Sequence, residues 1–545
     1  MLPATAVYVN AGTQLGSLEG PGGILSLPIL ISLAALAVFP WLARALLNAL
    51  RRRRAYRGWN RPRRYDRNLV VIGAGSAGLV ASYLAAALRA RVTLIEAGKM
   101  GGDCLNTGCV PSKTLIRSAT LAHQMRHASQ WGLTDTPPAV PFRAVMARVR
   151  ASIAQIAPHD SVERFSSLGV EVLHGHARLV DPWTVEIATR DGTQRLTSRA
   201  VIVATGAGPA LPRIPGLDLV DPLTSETLWT ALADQDEPPA RLLVLGGGPI
   251  GCELAQAFAR LGSRVVLVEQ APRLLPREEA EVSARLAQTL QAEGVELLTG
   301  HQLRAFGRDD MPWADIAQDG RSRRISFDRV IMATGRQARL AGFGLEDLGI
   351  ATGHDLPVNA FMQTRLPNIL AAGDVAGPLQ FTHVAAHQAG LASLNALLGG
   401  LWRFRIDYRV IPYAIFTDPE IARLGLSEPE ALRQGIAVEV TRFDLAELDR
   451  AITDGAAHGF VKVLTPPGRD RILGVTIMGA HAADIMAPFA LAMRHGLGLR
   501  KILAAVHIYP TWSEAAKSAA GVWQRTHVGP RTLSVLDRFH RWRRG

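Results

Sequence analysis

Residues 68–96 read NLVVIGAGSAGLVASYLAAALRARVTLIE, and residues 241–269 read RLLVLGGGPIGCELAQAFARLGSRVVLVE. Each stretch is an apolar strand, a glycine-rich turn, an amphipathic helix and a second strand that ends in an acid. The glycines are Gly73, Gly75 and Gly78 in the first copy and Gly246, Gly248 and Gly251 in the second. Glu96 and Glu269 each follow the first glycine by 23 positions. The first glycine permits a tight turn, the second lets backbone approach a pyrophosphate, and the third lets helix pack against strand. The helix N-terminus then faces the phosphates, and the acid accepts a ribose hydroxyl. Two copies with matched spacing predict two Rossmann-type dinucleotide-binding units in an α/β protein.

Working outward, each copy is echoed by a short strand ending in Ala-Thr-Gly: VIVATG at 201–206, closing on Gly206, and VIMATG at 330–335, closing on Gly335. A further strand and turn, NILAAGDVAG, follows at 368–377 and contains Gly373 and Asp374. After Tyr408 the texture changes to strands with helices between them. The expected organisation is a first dinucleotide domain over 68–207, a second over 208–334, a return to the first over 335–408, and a C-terminal α+β domain over 409–523. Residues 1–67 and 524–545 are terminal additions.

Directly after the first unit comes GGDCLNTGCVPSKTLIRSA, with Cys104 and Cys109. A helix start can bring sulfurs at this spacing together, and a helix N-terminus makes a thiol more acidic. No second cysteine pair or histidine cluster follows, so no metal site is expected. A catalytic dithiol is the better reading. The third cysteine, Cys252, is expected to pack as a small apolar residue.

The motif GGDCLNTGCVPSK resembles the active-site sequence of class I pyridine nucleotide-disulfide oxidoreductases, a family that includes dihydrolipoamide dehydrogenases, glutathione reductases and mercuric reductases. The resemblance extends over 68–523. It implies a flavoprotein homodimer with FAD, NAD(P)H, central and interface domains. It makes the first glycine-rich unit and Glu96 the site of the FAD adenosine diphosphate, and Asp374 a contact of the ribityl chain. Cys109 then matches the thiol beside the flavin, and Cys104 the interchange thiol that meets substrate. Lys113 matches the lysine near the flavin, with Glu253 as its ion-pair partner. A carboxylate at Glu269 favours NAD(H) over NADP(H), because it would repel a 2′-phosphate; Arg273 and Arg277 lie close enough in sequence to offset that charge.

The chain departs from the family pattern near its end. Where disulfide reductases place a histidine before proline, with a glutamate further on, this chain reads His507-Ile-Tyr509-Pro-Thr-Trp-Ser-Glu514. Tyrosine, with an ordinary pKa near 10, is a poor base at neutral pH. Whether His507 or Tyr509 serves in place of the usual base is left open by the sequence. Mercuric reductases lack that histidine too, but they carry a C-terminal cysteine pair, and no cysteine follows Cys252 here. The chain looks most like the mercuric reductase-like branch, with a small disulfide or thiol-bound metal as acceptor. A dihydrolipoamide dehydrogenase-type disulfide reductase and an NADH:quinone oxidoreductase are the alternatives, and a redox-sensing adaptor is a distant fourth.

The formal charge of +13 lies in the two ends. Residues 1–67 contain ten arginines and two acids, residues 524–545 six arginines and one acid, and the body between them is neutral. A neutral body argues against a nucleic-acid partner. Residues 24–43, ILSLPILISLAALAVFPWLA, carry no charge and precede Arg44 and Arg51–Arg54. Twenty helical residues span about 30 Å, the apolar thickness of a bilayer. This predicts an N-terminal transmembrane helix in the inner membrane, with the body on the cytoplasmic side. The tail TLSVLDRFHRWRRG suits contact with an anionic membrane surface, or a solvated or subunit-packed helix.

Overall fold

The computed structural model describes residues 27–350 and 353–545, together with residues 5, 8–10, 12, 13 and 16. The first dinucleotide unit forms a parallel sheet in the spatial order Val170–His174, Val92–Glu96, Arg67–Ile72, Gly192–Val203 and Ile369–Ala371. These strands are apolar along most of their length because both faces are covered: the helices Ser76–Ala87 and Thr382–Leu398 pack together on the sheet, and Ala177, Leu179, Val185 and Ile187 of antiparallel strands join the same core. Leu69, Val70, Val71, Leu94, Val201, Ile202 and Val203 are fully buried between those layers. The strand Gly192–Val203 does two jobs. Its second half belongs to the parallel sheet, and its first half pairs with Thr184–Thr189 in an antiparallel meander.

The second unit repeats the plan. Its parallel sheet runs Glu296–Thr299, Arg264–Glu269, Arg241–Leu245 and Arg329–Met332. It too carries a three-stranded antiparallel meander, here Gln302–Arg308, Pro312–Gln318 and Arg321–Ser326. The two units join through a short antiparallel ribbon, Ala207–Pro209 against Arg336–Ala338. Both of its strands begin just after an Ala-Thr-Gly, so the second unit is an insertion that enters and leaves the first at one place.

The C-terminal part is a five-stranded antiparallel sheet, Tyr413–Ile415, Glu420–Gly425, Gly474–Gly479, Phe460–Thr465 and Glu439–Asp444. Helices Ala482–Arg494 and Glu514–Thr526 pack on it, burying Phe489 and Trp523. Cys252 is fully buried in the helix Pro249–Arg260, as expected of a packing residue.

At the N-terminus, the helix Leu27–Ala55 takes in most of the expected span, whose first three residues, 24–26, lie outside the described ones. Among the described residues no helix is long and apolar enough to cross a membrane. The expected transmembrane helix is thus unsupported by the fold. The helix runs on past the expected span, through Arg44 into Arg51–Arg54. Immediately beyond it the chain docks on the body. The Tyr56 hydroxyl donates to Asn368 at 2.7 Å, and its ring packs 4.9 Å from that of Trp183.

Candidate active site

In both dinucleotide units the acid is held by the turn it faces. Glu96 accepts from the Ala74 N–H at 2.6 Å and the Gly98 N–H at 2.7 Å. Glu269 accepts from the Gly247 and Ala271 N–H groups, each at 2.6 Å. A carboxylate offers about four lone-pair directions, so each acid keeps capacity for a ribose diol. The helices Ser76–Ala87 and Pro249–Arg260 start at Gly75 and Gly248, and neither has a side-chain cap. Their first N–H groups are thereby free to meet phosphate oxygens.

The third glycines show why no other residue serves there. A methyl on Gly78 would overlap the Gly73 carbonyl oxygen, and one on Gly251 would overlap that of Gly246.

The two cysteines sit on different helices. Cys104 lies in the short helix Gly102–Asn106, and Cys109 opens the helix Cys109–Arg126. The turn between them is pinned by the Trp229 indole, which donates to the Thr107 carbonyl at 2.8 Å. Neither cysteine is joined in a disulfide. A hydrogen bond from Cys104, then one with Thr382 and the charge of Lys113, lowers the Cys109 thiol to about 6, against desolvation that works the other way. The Thr382 hydroxyl is 3.3 Å from the Cys109 sulfur. Cys104 moves strongly upward, because it shares that hydrogen bond and is buried. The pair is therefore asymmetric, with one standing thiolate and one neutral thiol.

Lys113, one turn along the Cys109 helix, pairs with Glu253 at 2.7 Å. The other oxygen of Glu253 accepts from the Phe416 N–H at 2.8 Å, and the lysine ammonium lies 4.6 Å from the Phe416 ring centre. One ion pair thus ties the dithiol helix to the second dinucleotide unit and to the C-terminal sheet.

Asp374 also lines the site, where burial raises its pKa despite the neighbouring Arg336 at 3.2 Å. Arg336 also pairs with Asp103, next to Cys104. A cavity of about 860 Å³ joins these groups: Gly73, Gly75, Glu96, both cysteines, Lys113, Glu253, Gly206, Gly373 and Asp374 all line it. These residues fit FAD. An uncapped helix start and a ribose-binding acid stand at one end, and a thiolate and a lysine at the other.

Of the second unit, Pro249, Ile250, Glu253 and Leu254 reach this cavity, whereas Gly246, Gly248, Gly251, Glu269 and Gly335 stand outside its lining. His507, Tyr509 and Glu514 also lie away from it. His507 contacts the Ala505 carbonyl at 3.0 Å, Tyr509 donates to Asp449 at 2.9 Å, and Glu514 starts the helix Glu514–Thr526. Within one chain the structure does not bring them to the dithiol. The Asp449 contact raises the Tyr509 pKa, which makes it a still poorer base.

Sequence reasoning did not single out Thr382, Asp103, Arg336 or Phe416. Asp103 and Arg336 could have been noticed, since one precedes Cys104 and the other follows an Ala-Thr-Gly. Thr382 and Phe416 have no local signal, because only the tertiary fold brings them to Cys109 and Lys113.

Comparison with known proteins agrees with this arrangement. The profile of the pyridine nucleotide-disulphide oxidoreductase family matches residues 67–389, and that of its dimerisation domain matches residues 411–520. The chain is 36% identical over 462 residues to a mercuric reductase of Streptomyces lividans, covering 84% of this chain and 95% of that protein. It is 33% identical over 447 residues to a dihydrolipoyl dehydrogenase of Chlamydia pneumoniae, covering 82% of this chain and 94% of that one. Among solved structures it is similar to a Cu(II) complex of the HOCl-induced flavoprotein disulfide reductase RclA from Escherichia coli. That match has a TM-score of 0.73 and 25% identity, and covers 84% of this chain and 99% of that one.

Proposed function

This chain belongs to the pyridine nucleotide-disulphide oxidoreductases, FAD-dependent enzymes acting on sulfur groups with NAD(P), and on that premise we propose that it reduces a small disulfide or a thiol-bound metal ion through Cys104 and Cys109. The observation that carries this reading is the asymmetric dithiol in the wall of the cavity that fits FAD. FAD, when bound, supplies the two-electron relay between a nicotinamide and a disulfide. The protein's part is to hold a thiolate at Cys109 and to leave Cys104 as the neutral thiol that exchanges with the acceptor. Lys113 keeps positive charge beside the thiolate, and Glu253 fixes where that charge sits. The dimerisation domain supports a homodimer, in which a partner's His507 or Tyr509 segment would complete the acceptor site.

A test of the function is anaerobic titration with NADH followed by an acceptor panel of disulfides, Hg(II), Cu(II) and a water-soluble quinone. Turnover with a disulfide or a thiol-complexed metal supports the proposal. Turnover confined to the quinone would sink it.

The Cys109 thiolate gives a pH prediction. A thiol with a lowered pKa is ionised above that value and protonates as pH falls through it. The long-wavelength absorbance of a thiolate beside oxidised flavin should therefore disappear with a midpoint near pH 6. By linkage, this group stabilises the reduced fold fully above its unfolded value near 8.5, and the stabilisation is lost as pH falls through about 6. Lys113→Met removes the neighbouring cation and should raise the midpoint to about pH 7. Spectrophotometric titration of the two proteins checks this, and an unchanged midpoint would contradict the role given to Lys113.

For the nicotinamide cofactor we favour NADH. Glu269 ends the second strand, where a carboxylate suits a 2′-hydroxyl and repels a 2′-phosphate, and the Arg273 guanidinium is engaged by the Glu278 and Pro276 carbonyls at 2.7 and 3.0 Å. Glu269→Gln should raise the KM for NADH about tenfold with kcat nearly unchanged, the signature of lost uniform binding. Steady-state kinetics with both nucleotides measures it. A wild-type preference for NADPH would reverse the assignment.

We also propose that residues 24–43 anchor the protein in the inner membrane with its body on the cytoplasmic side. The support is their lack of charge and the arginines that follow. Carbonate-washed membranes should retain the protein, and its release would count against a spanning segment.

A further inference from the structure

The chain leaves its last packed element at His527. There the imidazole stacks on the buried Trp523, with centres 3.9 Å apart, and meets Glu439 at 3.0 Å. Beyond Gly529 runs a further helix, Pro530–Arg544, in which no residue is buried. It also lies outside the dimerisation domain, whose match ends at residue 520.

The helix is two-faced. At about 100° per residue, Val535, Leu536, Phe539 and Trp542 share one arc. Arg531 and Arg538 flank that arc, and the basic arc continues through Arg541 to Arg544 on the far side, where Leu533 also lies. Trp542 is 77% exposed and Val535 64%, so the apolar arc has no partner among the described residues. The helix's one acid, Asp537, is paired with Arg541, which leaves the basic arc strongly positive. The exception on the apolar arc is Arg543, in the final turn, where a long side chain can reach back to water.

We infer that Pro530–Arg544 is a docking helix for an anionic lipid surface. Apolar side chains of this size enter the boundary between headgroups and acyl chains, and arginines beside them pair with lipid phosphates. A nucleic acid would use the arginines but leave the aromatic arc in water. A second copy of the helix would cover that arc but bring no free acid for the arginines, because its Asp537 is paired with Arg541. The inference is independent of the proposed anchor at 24–43, because carbonate extraction reports on the anchor and the experiment below reports on the helix.

The test is fluorescence of the full-length holoprotein, taking the difference between wild type and Trp542→Phe as the signal of Trp542. Vesicles of phosphatidylcholine, with and without phosphatidylglycerol, carry brominated chains as quenchers. Trp542 should be quenched in the anionic vesicles and weakly in the neutral ones. Combined Arg538→Glu, Arg541→Glu and Arg544→Glu should reduce the quenching at least about tenfold while NADH-dependent turnover is unchanged. A Trp542 signal unquenched in both vesicle types overturns the inference, as does equal quenching in both. Concentration-dependent shielding without lipid would assign the face to a second copy, and shielding by duplex DNA alone would assign it to nucleic acid; either also overturns it.

Discussion

Cys109→Ser should lower NADH-dependent turnover by at least about a thousandfold with every sulfur or metal acceptor. The structure makes this residue the standing thiolate of the pair, with its pKa lowered to about 6 by Cys104, Thr382 and Lys113. Serine cannot ionise in that range, cannot form the disulfide, and cannot take electrons from a reduced flavin. The long-wavelength absorbance should vanish with it. Cys104→Ser should be equally inactive yet keep that absorbance, because Cys109 retains Thr382 and Lys113. The two variants together separate a thiolate that faces flavin from a thiol that faces acceptor. Rapid-mixing reduction by NADH should remain intact in both, since that step precedes the dithiol. If Cys109→Ser turned over at the wild-type rate, electrons would be passing from flavin straight to acceptor, and the quinone-reductase reading would replace the present one.

The second large effect concerns the matched glycines. Gly78→Ala places a methyl against the Gly73 carbonyl and should yield protein that purifies without bound flavin. Gly251→Ala creates the same overlap at Gly246 and should yield a yellow protein whose flavin NADH no longer reduces. Identical substitutions at equivalent positions thus remove different cofactors, which flavin absorbance and anaerobic NADH titration distinguish. Where Gly78→Ala does not fold, Glu96→Gln is the gentler probe of the same site, expected to weaken flavin retention while leaving the fold intact. Flavin content equal to wild type in both Gly78→Ala and Glu96→Gln would mean that the first unit is not the flavin site.

The two Rossmann units were legible because glycine spacing and the closing acid are local: Gly73 to Glu96 and Gly246 to Glu269 need only one strand, turn, helix and strand. The dithiol was legible for the same reason. The antiparallel meanders were not read, since strands such as Pro312–Gln318 owe their pairing to neighbours and have little pattern of their own. The placement of Cys104 and Cys109 on separate helices also escaped notice, because the break at Thr107–Gly108 depends on the remote Trp229. His507, Tyr509 and Glu514 were named from their order in the chain. Their distance from the dithiol within one chain is a matter of tertiary arrangement that spacing cannot express.

The ribbon where Ala207–Pro209 meets Arg336–Ala338 also dictates an order of events at the ribosome. The flavin sheet needs the strand Ile369–Ala371 beside Val201–Val203, and that strand is translated only after the whole nucleotide unit. The nascent flavin half must therefore wait, with one sheet edge open, while a complete second domain is made and folds within its own loop. Its exposed edge during that interval is where premature pairing with another chain would begin. A newly made copy is thus most vulnerable before residue 371 emerges, and slow translation between 210 and 335 would lengthen that window.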